Sequence, residues 1–399
     1  MASSKQIIEQ TMRFGAHNYS PKEVVAERAE GVMVYDPEGR SYIDMLSAYS
    51  ALNFGHCHPE LVAAAKEQLD KVTLTSRAFH NAILGEFLEK LCAITDKSMA
   101  LPMNTGAEAV ETALKTARRW GVDKKGIQDE KQEIIVCENN FHGRTITIIS
   151  MSTDPEATRA YGPYTPGFKI VEFGNARALE EAITENTVAF LVEPIQGEAG
   201  ILVPPDGYLT EVREICTKHN ILFIADEVQT GFARTGKMFA CQHEDVVPDI
   251  YVLGKALGGG ILPVSAIAAD KEILDVFEPG SHGSTFGGNP LAAAVAIKAL
   301  EILERDNYSQ MAEEKGQYFL EKLKQIKNDA IISIRGKGLS VGMEFNVNAS
   351  AYVKKMIKAG VLAKETHEHT IRFAPPITIT YEELDKACVI ISEVLSEPA

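Results

Sequence analysis

Three apolar runs in this chain each end in a polar residue. Val188–Val192 runs into Glu193-Pro194, Ile221–Ala225 into Asp226-Glu227, and Ile250–Leu253 into Gly254-Lys255. Runs dense in Ile, Val and Phe without alternation read as strands buried on both faces. In open α/β sheets, ligands bind outside the carboxyl ends of such strands. The three endings therefore offer acidic and basic groups to one cleft. A lysine flanked by apolar residues is partly desolvated, which lowers its pKa and frees the amine as a nucleophile. Lys255 has such flanks, and the glycines that follow at Gly258-Gly259-Gly260 let backbone and a planar ligand approach closely. An isolated lysine at a strand end is more often solvent-reaching. No G-x-x-x-x-G-K-[ST] phosphate loop is present.

Asp226 would be buried at its strand end, and a buried carboxylate needs a cation or hydrogen-bond donors. The pyridinium nitrogen of pyridoxal phosphate (PLP) is one suitable partner. A local arginine such as Arg234 is another, and the residues alone leave both open. Asn104-Thr105-Gly106-Ala107-Glu108-Ala109 opens a helix, where free backbone N–H groups suit an anion. The same residues also form an ordinary Thr cap with Glu108 completing a capping box. A second anion candidate is Gly283-Ser284-Thr285-Phe286-Gly287-Gly288-Asn289-Pro290.

The elements that must position these residues follow from periodicity. Ala107–Trp120 has Val110, Ala113, Leu114 and Ala117 on one helical face. Helical patterns alternate with short apolar runs from about residue 60 to 285, which predicts an α/β domain with a mostly parallel sheet. After Pro290, long amphipathic helices (Leu291–Leu303, Met311–Leu323, Tyr381–Leu395) flank short strands near Ile332–Ile334 and Ile371–Phe373. The expected division is an N-terminal segment 1–45 packing with the small domain, a large domain 46–288, and a small α+β domain 289–399.

The bulk numbers narrow the function classes. The 399 residues carry 40 basic and 55 acidic side chains, a net charge of −15. That balance argues against nucleic acid or an anionic membrane as partner. The uncharged apolar stretch Ala256–Ala269 is too short to span a bilayer and contains three glycines and Pro263. The first residues lack a continuous apolar signal core and are not Arg-rich. Six cysteines without a CxxC read as reduced thiols, which implies a cytoplasmic protein. Gly55-His56-Cys57-His58 invites a metal reading, but adjacent side chains point apart and no distant ligand set is evident. No metal is expected.

Taken together, five segments carry a resemblance. They are Asn104–Ala109, Asn140-Phe141-His142-Gly143-Arg144, Glu193-Pro194-Ile195-Gln196-Gly197-Glu198, Asp226-Glu227-Val228-Gln229-Thr230-Gly231 and Leu253-Gly254-Lys255. In this order they resemble the class III (ω-) aminotransferases of PLP fold type I, from about Gly15 to Pro376. Gly15-Ala16-His17-Asn18-Tyr19, Leu46-Ser47-Ala48-Tyr49-Ser50, Leu74–Phe79 and Ile371-Arg372-Phe373-Ala374-Pro375-Pro376 are similar to the ornithine δ-aminotransferase branch.

The resemblance implies roles. Lys255 would hold PLP as a Schiff base and shuttle the proton, and Asp226 would pair with the pyridine nitrogen. Gln229 would bond the ring hydroxyl, and Phe141 would stack on the ring. Gly106 and Ala107 would hold the phosphate, with Thr105 close by. Ser284 and Thr285 would meet a phosphate, Thr285 that of the neighbouring subunit, so a homodimer or larger assembly is implied. The substrates implied are ornithine, an amino acid, and 2-oxoglutarate, a 2-oxo acid. Glu198 would pair with Arg372 while ornithine reacts and swing away when the keto acid brings its α-carboxylate to Arg372. Arg144 and Tyr19 would hold the distal end of either substrate, and Tyr49 would line the pocket. The rivals are acetylornithine, γ-aminobutyrate and lysine ε-aminotransferases and glutamate-semialdehyde aminomutase.

Overall fold

The computed structural model describes residues 2–397. Its centre is a seven-stranded sheet. The spatial order is Met99–Met103, Ser265–Ala269, Ile250–Leu253, Leu222–Asp226, Thr187–Val192, Glu133–Cys137, Phe168–Val171. The last five are mutually parallel. Ser265–Ala269 runs antiparallel to both of its neighbours. The sheet is thus mostly parallel, as the non-alternating runs predict. Thr187–Val192, Leu222–Asp226 and Ile250–Leu253 are buried at every residue.

Parallel strands need crossover helices, and these cover both faces. Gly106–Asp123 lays Val110, Leu114 and Ala117 on Ile134, Val188, Ile224 and Val252. Tyr208–Lys218 lays Leu209, Val212 and Cys216 on Ile135, Phe190 and Phe223. Alternate residues of one strand therefore serve two cores, which is why none is polar until the strand ends.

Two four-stranded sheets flank this layer. One joins Arg28–Glu30, Met33–Tyr35 and Ser41–Asp44 to Val361–Leu362, with Val361 opposite Ile43 in a parallel pair. The other runs Ile331–Lys337, Ser340–Phe345, Thr370–Phe373, Lys364–Thr366. Helices Pro290–Arg305, Tyr308–Lys324 and Tyr381–Leu395 pack around them.

Arg234 ties the segments together. Its side chain is fully buried. Nε and Nη2 donate to Asn53 Oδ1 at 3.2 and 2.5 Å, and Nη1 donates to the carbonyls of Leu339 at 3.0 Å and Pro375 at 2.6 Å. Burial drives its pKa down to about 9, against the charge of Asp44. Asn53 follows the Tyr49 segment, Pro375 follows Arg372, and Arg234 itself follows Asp226 and Gln229. Arg234→Met should leave three buried acceptors unpaired, at about 1–3 kcal/mol each. The urea midpoint should fall with little change in slope; an unchanged midpoint would remove this residue from the account of the fold.

Candidate active site

The three strand ends meet as the pairing register requires. Val192 lies opposite Ala225, and Asp226 opposite Val252. Glu193, Asp226 and Lys255 therefore emerge from adjacent strands at one edge. Lys255 begins a 3-10 turn, Lys255–Gly258, and its own φ is +46°. A non-glycine residue in the left-handed region is strained, and such strain gathers at functional positions. Burial lowers the amine's pKa to about 8; the charges of Glu198 and Asp226 oppose that fall.

Asp226 is the last residue of its strand and 5% exposed. Its Oδ1 accepts the Val228 N–H at 3.1 Å, and Oδ2 meets His142 Nδ1 at 2.6 Å. The partner is thus a histidine and not Arg234, whose bonds go elsewhere. His142 was quoted within the Asn140–Arg144 segment but given no role. Its side chain is wholly buried, and its Nε2 has no hydrogen-bond partner. Burial alone would lower its pKa, but the bond to Asp226 and that carboxylate's charge raise it. Asn140 fixes the loop, since Nδ2 donates to the carbonyls of Cys137 and Met151 at 2.6 and 2.8 Å.

Glu193 connects two more parts. Oε1 accepts the Phe141 N–H at 2.9 Å, and Oε2 accepts the Gly197 N–H at 3.2 Å. Burial raises its pKa to about 7; the charge of His142 opposes. Gln229 rests on Gly197 so closely that a Cβ there would fall 1.6 Å from its Oε1. Only glycine permits that approach.

The helix Gly106–Asp123 starts beside these groups. Thr105 caps it and Glu108 completes the capping box, so the ordinary reading of that motif holds. The first-turn N–H groups of Gly106 and Ala107 still have no intrahelical acceptor. An 18-residue helix adds its dipole at that point. Asn104 Nδ2 donates to Ser284 Oγ at 2.9 Å, which docks the 283–290 loop on the helix start. Thr285 is exposed. The Phe141 ring is 36% exposed, with the Arg144 guanidinium carbon 5.4 Å from its centroid.

These residues fit PLP. A desolvated amine suits its aldehyde, a buried carboxylate its ring nitrogen, and a helix start its phosphate. The wholly buried His142 braces that carboxylate through its Nδ1.

Nearby, Arg372 Nη1 donates to Glu198 Oε1 at 2.6 Å. Burial raises the pKa of Glu198, but the charge and hydrogen bond of Arg372 carry it below the ordinary value. Thr366 Oγ1 donates to the Glu198 carbonyl at 2.6 Å. The Arg372 guanidinium carbon lies 5.0 Å from the Tyr49 ring centroid. Burial raises the Tyr49 hydroxyl's pKa; Arg372 opposes. Arg144 stays outside this cluster, 60% exposed and 3.9 Å from Asp154. Tyr19 is 81% exposed, yet it lies near enough to help raise the pKa of the Tyr49 hydroxyl. His56 bonds Asp44 at 2.8 Å. Among the described residues, no group of three or more His, Cys, Asp or Glu could hold a metal ion.

Comparison with known proteins gives the same frame. A family profile described as aminotransferase class-III matches residues 14–395. The chain is 59% identical to an ornithine aminotransferase of Brevibacillus brevis over 395 residues, covering 99% of each. An ornithine aminotransferase structure from Toxoplasma gondii, with PLP at partial occupancy in its active site, superposes with a TM-score of 0.98. It is 41% identical, with 99% of this chain and 94% of that one covered. An acetylornithine aminotransferase structure from Elizabethkingia anophelis gives 0.91 at 47% identity, covering 99% of this chain and 100% of that one. The chain belongs to the class-III aminotransferases, a family of PLP-dependent enzymes.

Proposed function

We propose that this enzyme transfers the δ-amino group of L-ornithine to 2-oxoglutarate. The products are glutamate 5-semialdehyde, which cyclises to pyrroline-5-carboxylate, and glutamate. The observation that carries this reading is the 2.6 Å Glu198–Arg372 pair. An ω-amine brings no carboxylate to the reacting carbon, whereas the keto acid does. An unpaired buried arginine would cost several kcal/mol in the first half-reaction. Glu198 neutralises it, then yields Arg372 to the keto acid's α-carboxylate, for which a guanidinium is the geometric match.

PLP, when bound, supplies the electron sink that makes a proton beside the amine labile. Lys255 holds it, and the neutral amine is the base that takes the proton from the δ-carbon of ornithine. Asp226, held by His142, faces the ring nitrogen and keeps it charged. Gln229 bonds the ring oxygen, Phe141 covers one face, and the N–H groups of Gly106 and Ala107 take the phosphate with Thr105 and Ser284. Arg144 and Tyr19 take the distal end of the substrate. Their exposure in one chain, and that of Thr285, is consistent with a pocket finished by a neighbouring subunit. The active unit is then at least a homodimer. The division into segment 1–45, large domain 46–288 and small domain 289–399 is the one in which the site lies between Lys255 and Arg372. Six free cysteines support work in a reducing, cytoplasmic setting.

Only the neutral amine is nucleophilic, so a lowered pKa makes Lys255 reactive nearer neutrality. In protein freed of PLP, aldehyde trapping at Lys255 should rise with pH through a midpoint of about 8. An ordinary lysine midpoint near 10.5 would contradict the desolvated amine, and Lys255→Ala should trap nothing at this position. Glu198→Gln should slow the ornithine half-reaction by about tenfold or more while sparing the glutamate half-reaction. Equal damage to both would sink the exchange of partners. Single-turnover spectra with ornithine, acetylornithine, γ-aminobutyrate and lysine test the substrate directly; a faster reaction with acetylornithine would overturn the choice of ornithine.

A further inference from the structure

Four consecutive non-glycine residues occupy the left-handed region. Their φ values are +50° at Ser47, +46° at Ala48, +61° at Tyr49 and +72° at Ser50. L-residues visit this region singly because Cβ crowds the following carbonyl. Among the described residues, glycine takes 16 other positive-φ positions and non-glycine residues take 15, in runs no longer than two. Ser47–Ser50 is a run of four without glycine, although glycine would relieve the crowding.

The turn is held from outside and from within. Asp44 Oδ1 accepts the N–H groups of Leu46 at 2.8 Å and Ser47 at 2.9 Å. Asp44 Oδ2 is held by His56 Nε2 at 2.8 Å. The Tyr49 N–H reaches the Leu46 carbonyl at 3.0 Å, and the N–H groups of Ala51 and Leu52 reach the Ser47 carbonyl at 2.9 and 3.1 Å. Ser47 Oγ is buried without a partner, so the segment gives up a hydrogen bond to sit as it does.

The result of this arrangement is the place of one ring. The Arg372 guanidinium carbon sits over the Tyr49 ring, 5.0 Å from its centroid. Glu198 takes Nη1, while Nε of Arg372 has no partner. The ring thus lies beside the guanidinium, whose Nε edge stays unpaired. A right-handed or extended backbone at Ala48 and Tyr49 would point the ring elsewhere.

We propose that the left-handed turn Ser47–Ser50 is a positioning device that trades stability for specificity. Its strained L-residues hold the Tyr49 ring on Arg372, so that Arg372 stays in the Glu198 pair while an ω-amine reacts. Ala48 is a positioning residue, since its backbone aims the ring and its side chain touches no substrate. A glycine turn would satisfy the geometry with less strain, but would let the ring wander. This inference rests on the proposed use of Arg372 by the two substrates.

The test is Ala48→Gly in the full-length, PLP-loaded enzyme. Relief of strain should raise Tm by about 1–3 °C. KM for ornithine should rise about threefold to tenfold, the worth of one partly desolvated cation–π contact, with kcat and KM for 2-oxoglutarate changed by less than about twofold. On a Tyr49→Leu background, the same substitution should still raise Tm but should no longer move KM. A Tm that does not rise, or a KM effect that persists without the ring, overturns the proposal. If the parent enzyme does not use ornithine at all, the proposed function fails instead, and the Tm arms still report on the strain.

Discussion

Everything at this site depends on placing charge where water is scarce. Parallel strands covered on both faces cannot carry polar side chains until they end, so the first ones appear together at one edge. Glu193, Asp226 and Lys255 are those residues. Each would be expensive alone. They persist because every charge has a neighbour of opposite sign or a set of N–H donors. Glu193 has the N–H groups of Phe141 and Gly197, Asp226 has His142 and Val228, and Lys255 has the fields of Glu198 and Asp226. Burial still wins at Lys255, and the surplus is an amine shifted toward reactivity at ordinary pH.

This balance also couples elements distant in sequence. Glu193 ties the Phe141 loop to the Gly197 turn, and Gln229 packs on that same turn. Glu198 follows it directly and reaches across to Arg372 on another sheet. Arg234 closes the circuit from the Asp226 segment to the residues after Arg372 and after Tyr49. A shift of any one segment would misplace a buried charge, so Glu193, Asp226, Gln229 and Arg372 are held in one frame.

Much of this frame was legible in the residues. Non-alternating apolar runs gave the buried parallel strands, and their polar ends gave the site. Val188–Val192, Ile221–Ala225 and Ile250–Leu253 fall on the strands Thr187–Val192, Leu222–Asp226 and Ile250–Leu253. Three strands of the central sheet were not located because their residues obscure the pattern. Met99–Met103 contains Pro102 and sits at the sheet edge. Phe168–Val171 is the other edge and carries Lys169. Ser265–Ala269 is mostly alanine, a weak strand former. His142 was missed because its signal is tertiary. Nothing local says that a histidine two residues after Asn140 turns inward to an aspartate 84 residues away. The left-handed turn was invisible for a related reason, since Ser-Ala-Tyr-Ser has no glycine to announce positive φ.

That missing glycine bears on how one pocket serves two substrates. A pocket built only for affinity would present Arg372 openly. One that must also accept an amine without a neighbouring carboxylate needs the arginine neutral and fixed in the meantime. Glu198 supplies the neutrality, but a single carboxylate on one guanidinium nitrogen leaves the group free to tilt about that bond. On the proposed reading, the Tyr49 ring beside the guanidinium limits that tilt without adding a charge that the keto acid would later have to displace. The Nε edge of Arg372 stays unpaired, and on the proposed reading that edge is where the incoming carboxylate binds. On the proposed reading, the strain at Ser47–Ser50 and the acid–arginine pair are two halves of one solution, one setting charge and the other orientation.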